Sequence, residues 1–120
     1  MGQGKISNYD FMTPEDFKRW PANALDEEGY PTTEALQFIE SYDVVEWGPE
    51  GLISFLCELW YHGDYGYKRD GNKLELHTLG WSGNETLIQS LHKTFFWTFC
   101  WESSRRGGHY YFDNIDRFKK

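Results

Sequence analysis

The sequence predicts an α+β domain in which N-terminal helices pack on a small, largely antiparallel sheet of about four strands. In the N-terminal half, apolar residues recur every three to four positions, which is the period of a helix. After His62-Gly63 the period changes to two, and turn sequences at Asp70-Gly71-Asn72 and Gly107-Gly108 divide this half into two β-hairpins separated by one helix. The 120 residues suit one domain covering residues 1–120, with residues 1–10 expected to be loose.

The first helix is predicted to begin at Thr13-Pro14-Glu15-Asp16. This sequence supplies a hydroxyl cap, a proline at the first helical position and acidic residues in the first turn. The helix should end near Trp20, since a residue that precedes proline avoids the helical conformation. Residues 22–31 then form a polar connector that contains three consecutive acidic residues.

Two further helices follow the connector. Thr32 or Thr33 is expected to cap the first of them, whose apolar residues have helical spacing at Ala35, Phe38, Ile39 and Tyr42. Residues 43–48 should interrupt it, and the next helix opens at Gly48-Pro49-Glu50. Its broad apolar stripe consists of Leu52, Phe55, Leu56, Leu59 and Trp60. A stripe of this width should lie against a sheet or between two neighbouring helices.

The first hairpin is predicted over residues 65–69 and 73–79, with Leu74, Leu76 and Thr78 on one face. A helix should follow from Ser82 to about Thr94. Its start resembles a capping box, in which the Ser82 hydroxyl accepts from the Glu85 amide while the Glu85 carboxylate reaches back.

The aromatic run at residues 95–102 is predicted to be a central strand. Aromatic residues favour strands, and the glycines that follow favour a turn at residues 103–108. In this interpretation Phe95, Trp97, Phe99 and Trp101 share one face of the sheet. A helix that extends to Trp101 is the alternative. Residues 109–113 would form the partner strand, and residues 114–120 a polar, basic tail.

Composition and charge exclude several classes of protein. The longest apolar run is strand-sized, and no signal peptide pattern is visible, so we expect a cytoplasmic protein without membrane segments. The net charge of -7 disfavours non-specific nucleic-acid binding. Cys57 and Cys100 are expected to be free thiols. The four histidines lie far apart in sequence, so neither a metal site nor any other cofactor is predicted.

The candidate site is formed by the two glycine-bearing loops. If a right-handed crossover leaves the second and third strands running in the same direction, residues 80–85 and 103–108 lie at one edge of the sheet. Backbone amides at a helix start, together with two arginines, would then bind an anion such as a phosphate or carboxylate. The candidate binding residues are His77, Trp81, Ser82, Asn84, Arg105, Arg106 and His109.

These residues also carry purely structural interpretations, because caps and glycine turns are common folding devices. In that case a protein-interaction surface on the acidic N-terminal helices is the alternative; residues 1–60 hold 12 acidic and 3 basic residues. A further alternative is an enzyme that acts on a phosphorylated or nucleotide substrate through His77, His109 or Glu102. No catalytic motif is visible, so no catalytic residue is assigned.

The loop motifs carry a family resemblance. Gly80-Trp81-Ser82-Gly83-Asn84-Glu85, the aromatic stretch with Trp97 and Trp101-Glu102, and Arg106-Gly107-Gly108-His109-Tyr110 together resemble small proteins encoded by phages and prophages. The resemblance covers roughly residues 76–112 and brings no assigned activity. It implies a host-directed or accessory phage function. Together with the acidic N-terminal half, the lack of catalytic motifs and the two loop motifs, it leads to the hypothesis of an accessory protein that acts by binding, without turnover, with a host protein or a nucleotide-like anion as the partner.

Overall fold

A computed structural model describes residues 21–61 and 63–118, with the backbone alone for Gly63 and Asp64. The predicted helix near residues 13–20 and the loose segment at residues 1–10 lie outside the described residues. The acidic connector is a tight loop closed by an isolated bridge between Leu25 and Pro31. The Asp26 carboxylate accepts hydrogen bonds from the amides of Glu28 and Tyr30, both at 2.9 Å, and so fixes this loop.

Three helices follow the connector: α1 (Thr33–Ser41), α2 (Val44–Trp47) and α3 (Glu50–Leu59). The predicted cap of α1 is confirmed, because the Thr32 hydroxyl accepts from the Ala35 amide at 3.2 Å. Helix α1 ends before residues 43–48, as predicted, but this segment also contains the short helix α2. The Asp43 carboxylate caps a further turn of helix by accepting from the Glu46 amide at 3.0 Å.

The sheet confirms the predicted fold class. After a short helix, α4 (Gly63–Gly66), the described strands are β1 (Tyr67–Asp70), β2 (Lys73–His77), β3 (Trp101–Arg105) and β4 (His109–Phe112). They lie in the order β1-β2-β4-β3, and every neighbouring pair is antiparallel. The second hairpin therefore inserts its last strand beside β2, which leaves β3 at the sheet edge. Strands β2 and β3 run in the same direction with β4 between them.

One face of the sheet and the apolar sides of the helices form the core. Side chains alternate across a strand, so Leu74, Leu76 and Phe112 point to the same face, and all three are buried. The broad stripe of α3 lies in this core, as its width predicted. The largest fully buried side chains are Phe38, Ile39, Leu52, Phe55, Leu56, Leu74, Leu76, Leu87, Leu91, Phe96, Phe112 and Ile115.

The aromatic run is helical in its first part, so the predicted strand at residues 95–102 is wrong. Helix α5 (Ser82–Leu91) ends before Thr94, and α6 (Phe95–Cys100) begins directly after it. The Thr94 hydroxyl accepts from the Trp97 amide at 3.3 Å and caps α6. The alternative of a helix to Trp101 is close to the observed structure. Two helices, and not one, therefore separate the hairpins.

Smaller differences concern the ends of elements. Tyr65 belongs to α4 and not to the first strand, and the strand that begins at Trp101 shortens the second turn to residues 106–108. The predicted polar tail contains a 3-10 helix, Ile115–Phe118, which buries both Ile115 and Phe118. Among the residues that the structure describes, no helix is both long and apolar enough to cross a membrane.

Candidate functional site

The two glycine-bearing loops meet at one end of the sheet. The Thr78 amide, just beyond β2, donates to the Gly108 carbonyl at 2.9 Å. His77 lies directly opposite His109 in the β2–β4 register, and Arg105 lies opposite His109 in the β3–β4 register. This edge therefore brings His77 together with Arg105 and with His109, which lies 32 residues later in the chain.

Trp81 packs against two tyrosines at this edge. Its ring centroid lies 4.6 Å from that of Tyr30 and 4.9 Å from that of Tyr61. Gly83 makes this packing possible, because a Cβ atom there would overlap Nε1 of the same indole. Trp81 thus joins the acidic connector and the end of α3 to the start of α5, which is a packing role.

The predicted capping box is not formed. Trp81 is the residue that precedes α5, and it provides no side-chain cap. Ser82 is already the first helical residue, and its hydroxyl donates to the Tyr30 hydroxyl at 2.9 Å. The sequence predicted that the Ser82 hydroxyl would bond to Glu85. Its partner is instead Tyr30 of the acidic connector, 52 residues earlier in the chain.

Asn84 is buried and hydrogen-bonds to two neighbouring segments of the chain. Its side-chain oxygen accepts from the Tyr61 amide at 3.0 Å, and its amide nitrogen donates to the Thr78 carbonyl at 3.3 Å. The residue is 1% exposed. These bonds satisfy the buried amide and join three segments, so Asn84 holds the loop in place from the inside of the protein.

A chain of hydrogen bonds runs through two histidines and a carboxylate. Nε2 of His77 lies 3.2 Å from Oε1 of Glu75, and Nδ1 of His77 lies 2.8 Å from Nδ1 of His109. A carboxylate only accepts, so His77 carries a proton on Nε2. When both rings are neutral, Nδ1 of His77 accepts from His109, and Nε2 of His109 retains a free lone pair. Protonation of both rings would break the bond between them.

These histidines belong to the face of the sheet that points away from the core, here called the outer face. None of its side chains is buried. It consists of Lys68, Asp70, Lys73, Glu75, His77, Ser103, Arg105, His109 and Tyr111, as the strand registers require. Charged and aromatic groups are thus available to a ligand along one side of the sheet.

The two arginines at the edge are exposed. The Arg105 guanidinium lies 5.8 Å from the centroid of the Tyr111 ring, a distance at which a cation interacts with an aromatic face. Within the described ranges, no carboxylate lies close enough to form an ion pair with Arg105 or Arg106. Both guanidinium groups are therefore available to a ligand, that of Arg105 beside the histidine pair and that of Arg106 in the adjoining turn.

Sequence reasoning placed His77, His109, Arg105 and Arg106 at this edge but missed Glu75 and Tyr111. The signal for Glu75 was present, because residues two apart on a strand share a face and His77 was already a candidate. The same signal was present for Tyr111, which lies two residues after the candidate His109 on a predicted strand, and the register between β2 and β4 sets it opposite Glu75.

The cysteines offer no reactive thiolate. Both are free, as predicted. Burial raises the pKa of the Cys57 thiol and that of the Cys100 thiol to about 11. Among the described residues, no group of three or more histidine, cysteine or acidic side chains is arranged to hold a metal ion.

Both thiols should react slowly with iodoacetamide at pH 8. The pKa shift from 9.0 to about 11 lowers the thiolate fraction about 100-fold relative to an unshifted thiol. The pKa of each thiol is higher in the folded protein than in the unfolded chain. The contribution of the two buried thiols to the free energy of unfolding is therefore present below about pH 9 and is lost as the pH rises towards 11. Mass spectrometry of labelled protein checks the rate, with the chain unfolded in guanidinium as control. Equal labelling rates in both states would contradict the burial of the thiols.

Comparison with known protein families, with curated proteins and with solved structures found no match for this chain. The fold class alone does not identify a function, because one fold serves many chemistries. The function therefore has to be argued from the geometry of the site.

Proposed function

We propose that this chain is a small phage or prophage accessory protein that binds an anionic partner on its outer face, without turnover. The supporting observation is the exposed pair Arg105 and Arg106 beside the His77–His109 pair. The resemblance of the loop motifs to phage and prophage proteins supports the biological setting, which would be the host cytoplasm.

The chemistry of the edge suits a phosphate or carboxylate group. A guanidinium presents paired N–H donors that match two oxygens of such a group. A protonated His109 would add a donor on the same face, and the Tyr111 ring beneath Arg105 would restrain the guanidinium. We propose that the anion is carried by a nucleotide-like molecule, or by an acidic segment of a host protein.

The overall charge limits this proposal to a local site. With a net charge of -7, long-range attraction of a nucleic-acid polymer is disfavoured. Residues 61–120 hold 9 basic and 7 acidic residues, so the cations of the site lie in the less acidic half of the chain. A compact anion that contacts the two arginines directly does not depend on long-range attraction to the chain as a whole.

Removal of both arginines should weaken binding of the anion by about tenfold or more. The reason is that hydrogen bonds between a guanidinium and an anion are charge-assisted and are stronger than hydrogen bonds between neutral groups. The variant is Arg105→Ala/Arg106→Ala, and the probes are adenosine monophosphate, inorganic phosphate and a glutamate-rich peptide. Titration followed by NMR gives Kd for each. The control is Lys73→Ala, which removes a positive charge from the far end of the outer face, where Lys73 lies opposite Asp70 beside the turn of the first hairpin.

The proposal requires the arginine variant to lose affinity while the lysine variant keeps it. Equal losses would indicate general electrostatic attraction and contradict a specific site. No saturable shift with any of the three probes in the wild-type protein would also contradict it. A response to the peptide alone would assign the site to a host protein.

A second candidate function is acid–base catalysis on a phosphorylated substrate, and the Glu75–His77–His109 chain favours it. A carboxylate that fixes the tautomer of one histidine, which in turn contacts a second, is suited to proton transfer at Nε2 of His109. Glu102 takes no part in this chain; its carboxylate accepts from the Ser103 hydroxyl at 2.6 Å. Release of phosphate from adenosine monophosphate, abolished by His109→Gln, would support the enzyme over the binding protein.

A further inference from the structure

A groove of about 580 Å³ lies between the end of α5, helix α6 and the edge strand β3. Its volume falls in the range of sites that bind small molecules. The side chains that line it are mostly aromatic or polar, and they include Gln89, Lys93, Trp97, Trp101, Ser104 and Tyr110. It is separate from the anion site, because Arg105 points to the outer face while its neighbour Ser104 lines the groove.

Two tryptophans form the wall of the groove. Their indole planes differ by only 8°, with centroids 6.4 Å apart. Trp101 directly follows α6 and lies four positions after Trp97, the spacing that places two side chains on one side of a helix. Tyr110 meets Trp97 edge-on at 5.7 Å and holds that ring in place. Trp101 is 45% exposed, so much of its ring is open to solvent. An exposed, oriented indole is a surface on which a flat ring can stack.

Polar groups at the rim select the kind of ring. The Ser104 hydroxyl accepts from the Trp101 indole N–H at 2.8 Å, which fixes the indole and leaves the hydroxyl proton to donate. The Lys93 ammonium lies at the rim, 3.6 Å from a Glu40 oxygen and with 65% of its side chain exposed. Gln89 adds an amide. The rim is therefore rich in donors, which match the carbonyl and ring-nitrogen acceptors of a heteroaromatic base.

We propose that this groove binds a planar heteroaromatic ring of the nucleobase type, stacked on Trp101 with its acceptor edge towards Ser104 and Lys93. Stacking on aromatic side chains tolerates different bases, since every base presents a π-face. This proposal goes beyond the anion site and does not depend on it, because the ring alone is recognised here and no phosphate is required.

The test uses nucleosides, which carry the ring without the anion. ¹⁵N-labelled protein is titrated with adenosine, uridine and cellobiose, and the indole N–H signals of the 6 tryptophans report the site. We expect saturable shifts of the Trp97 and Trp101 signals with a nucleoside, and affinity lowered at least about tenfold in Trp101→Ala. Phe95→Ala is the matched control, because Phe95 is an exposed aromatic residue of α6 outside the groove lining.

The outcomes separate this proposal from the anion site. Nucleoside binding that survives in Arg105→Ala/Arg106→Ala supports the groove, whatever happens to phosphate binding. No shift with either nucleoside, or a shift with cellobiose alone, would overturn the proposal. Equal losses in Trp101→Ala and Phe95→Ala would also overturn it. Ser104→Ala removes both the hydroxyl donor at the rim and the hydrogen bond that fixes the Trp101 indole, so it should weaken nucleoside binding, and unchanged affinity would contradict the role of Ser104.

Discussion

Alanine at Gly108 is expected to destabilise the protein by about 2–5 kcal/mol, through backbone strain and overpacking together. Gly108 has φ of +86°, a region in which a residue with a Cβ atom is strained. Its carbonyl also accepts the Thr78 amide, which holds the two loops of the site together. The expected loss therefore combines a local conformational cost with damage to the edge where the site lies.

The part of this destabilisation that is due to overpacking arises from the neighbouring Thr78 side chain. A Cβ atom on Gly108 would overlap Oγ1 of Thr78, and the Thr78 side chain is 1% exposed, so it has no room to move aside. The Thr78 hydroxyl is also buried without a hydrogen-bond partner in the described part of the chain. Close approach of the two strand ends thus excludes any side chain at residue 108.

Gly29→Ala provides the matched control. Gly29 has φ of +87°, and nothing lies within 4 Å of the position of its Cβ atom. It should therefore show the cost of the positive φ alone, about 1–2 kcal/mol. Chemical denaturation measures both variants. In a double variant, Thr78→Ala should recover part of the loss from Gly108→Ala. Equal losses for the two glycine variants, with no recovery, would contradict the close approach at Thr78.

The elements that the sequence predicted well are those with a complete local signal. Helices α1 and α3 have helical apolar spacing, a hydroxyl cap or a proline at the start, and a clear end. The first hairpin has a glycine turn at Gly71 and alternating leucines in its second strand, at Leu74 and Leu76. In each case the local pattern and the packing agree, so propensity and burial give the same answer.

The aromatic run lacks such agreement. Aromatic residues favour strands, and in residues 95–101 nearly every position is apolar, so either period fits. The decisive signal is Thr94, whose hydroxyl caps α6. Buried Phe96 and Cys100 are four residues apart, as on one side of a helix. The tryptophans that line the groove were consequently placed in a sheet, and the groove was not predicted.

The edge at which the two loops meet could be predicted, because it depends on the direction of the strands and not on their exact register. A crossover that leaves β2 and β3 running in the same direction places both loops at one edge, which the sequence could indicate. The partners of Trp81 and Ser82 could not be foreseen, since Tyr30 reaches them from the distant connector. The helix start, predicted to be open to an anion, is in fact engaged by this tyrosine.

Alanine at Phe96 is expected to destabilise the protein by about 3–5 kcal/mol, because a fully buried aromatic side chain would leave a cavity. Phe96 is 0% exposed and packs against Phe112 of β4, with the ring centroids 5.4 Å apart. If this variant does not fold, Phe96→Leu keeps part of the volume and should give a smaller, measurable loss. Urea denaturation followed by circular dichroism provides the measurement.

Phe95→Ala distinguishes the helix from the strand that the sequence suggested. In α6, Phe95 is 63% exposed, so its removal should change stability by no more than about 0.5 kcal/mol. In a central strand covered on both faces, Phe95 would be buried with Trp97, and its loss would cost about as much as that of Phe96. A large difference between these neighbours thus requires a helical period here. Equal losses of stability in Phe95→Ala and Phe96→Ala would contradict the helix. They would also contradict the groove, because the helical spacing is what places Trp97 and Trp101 side by side.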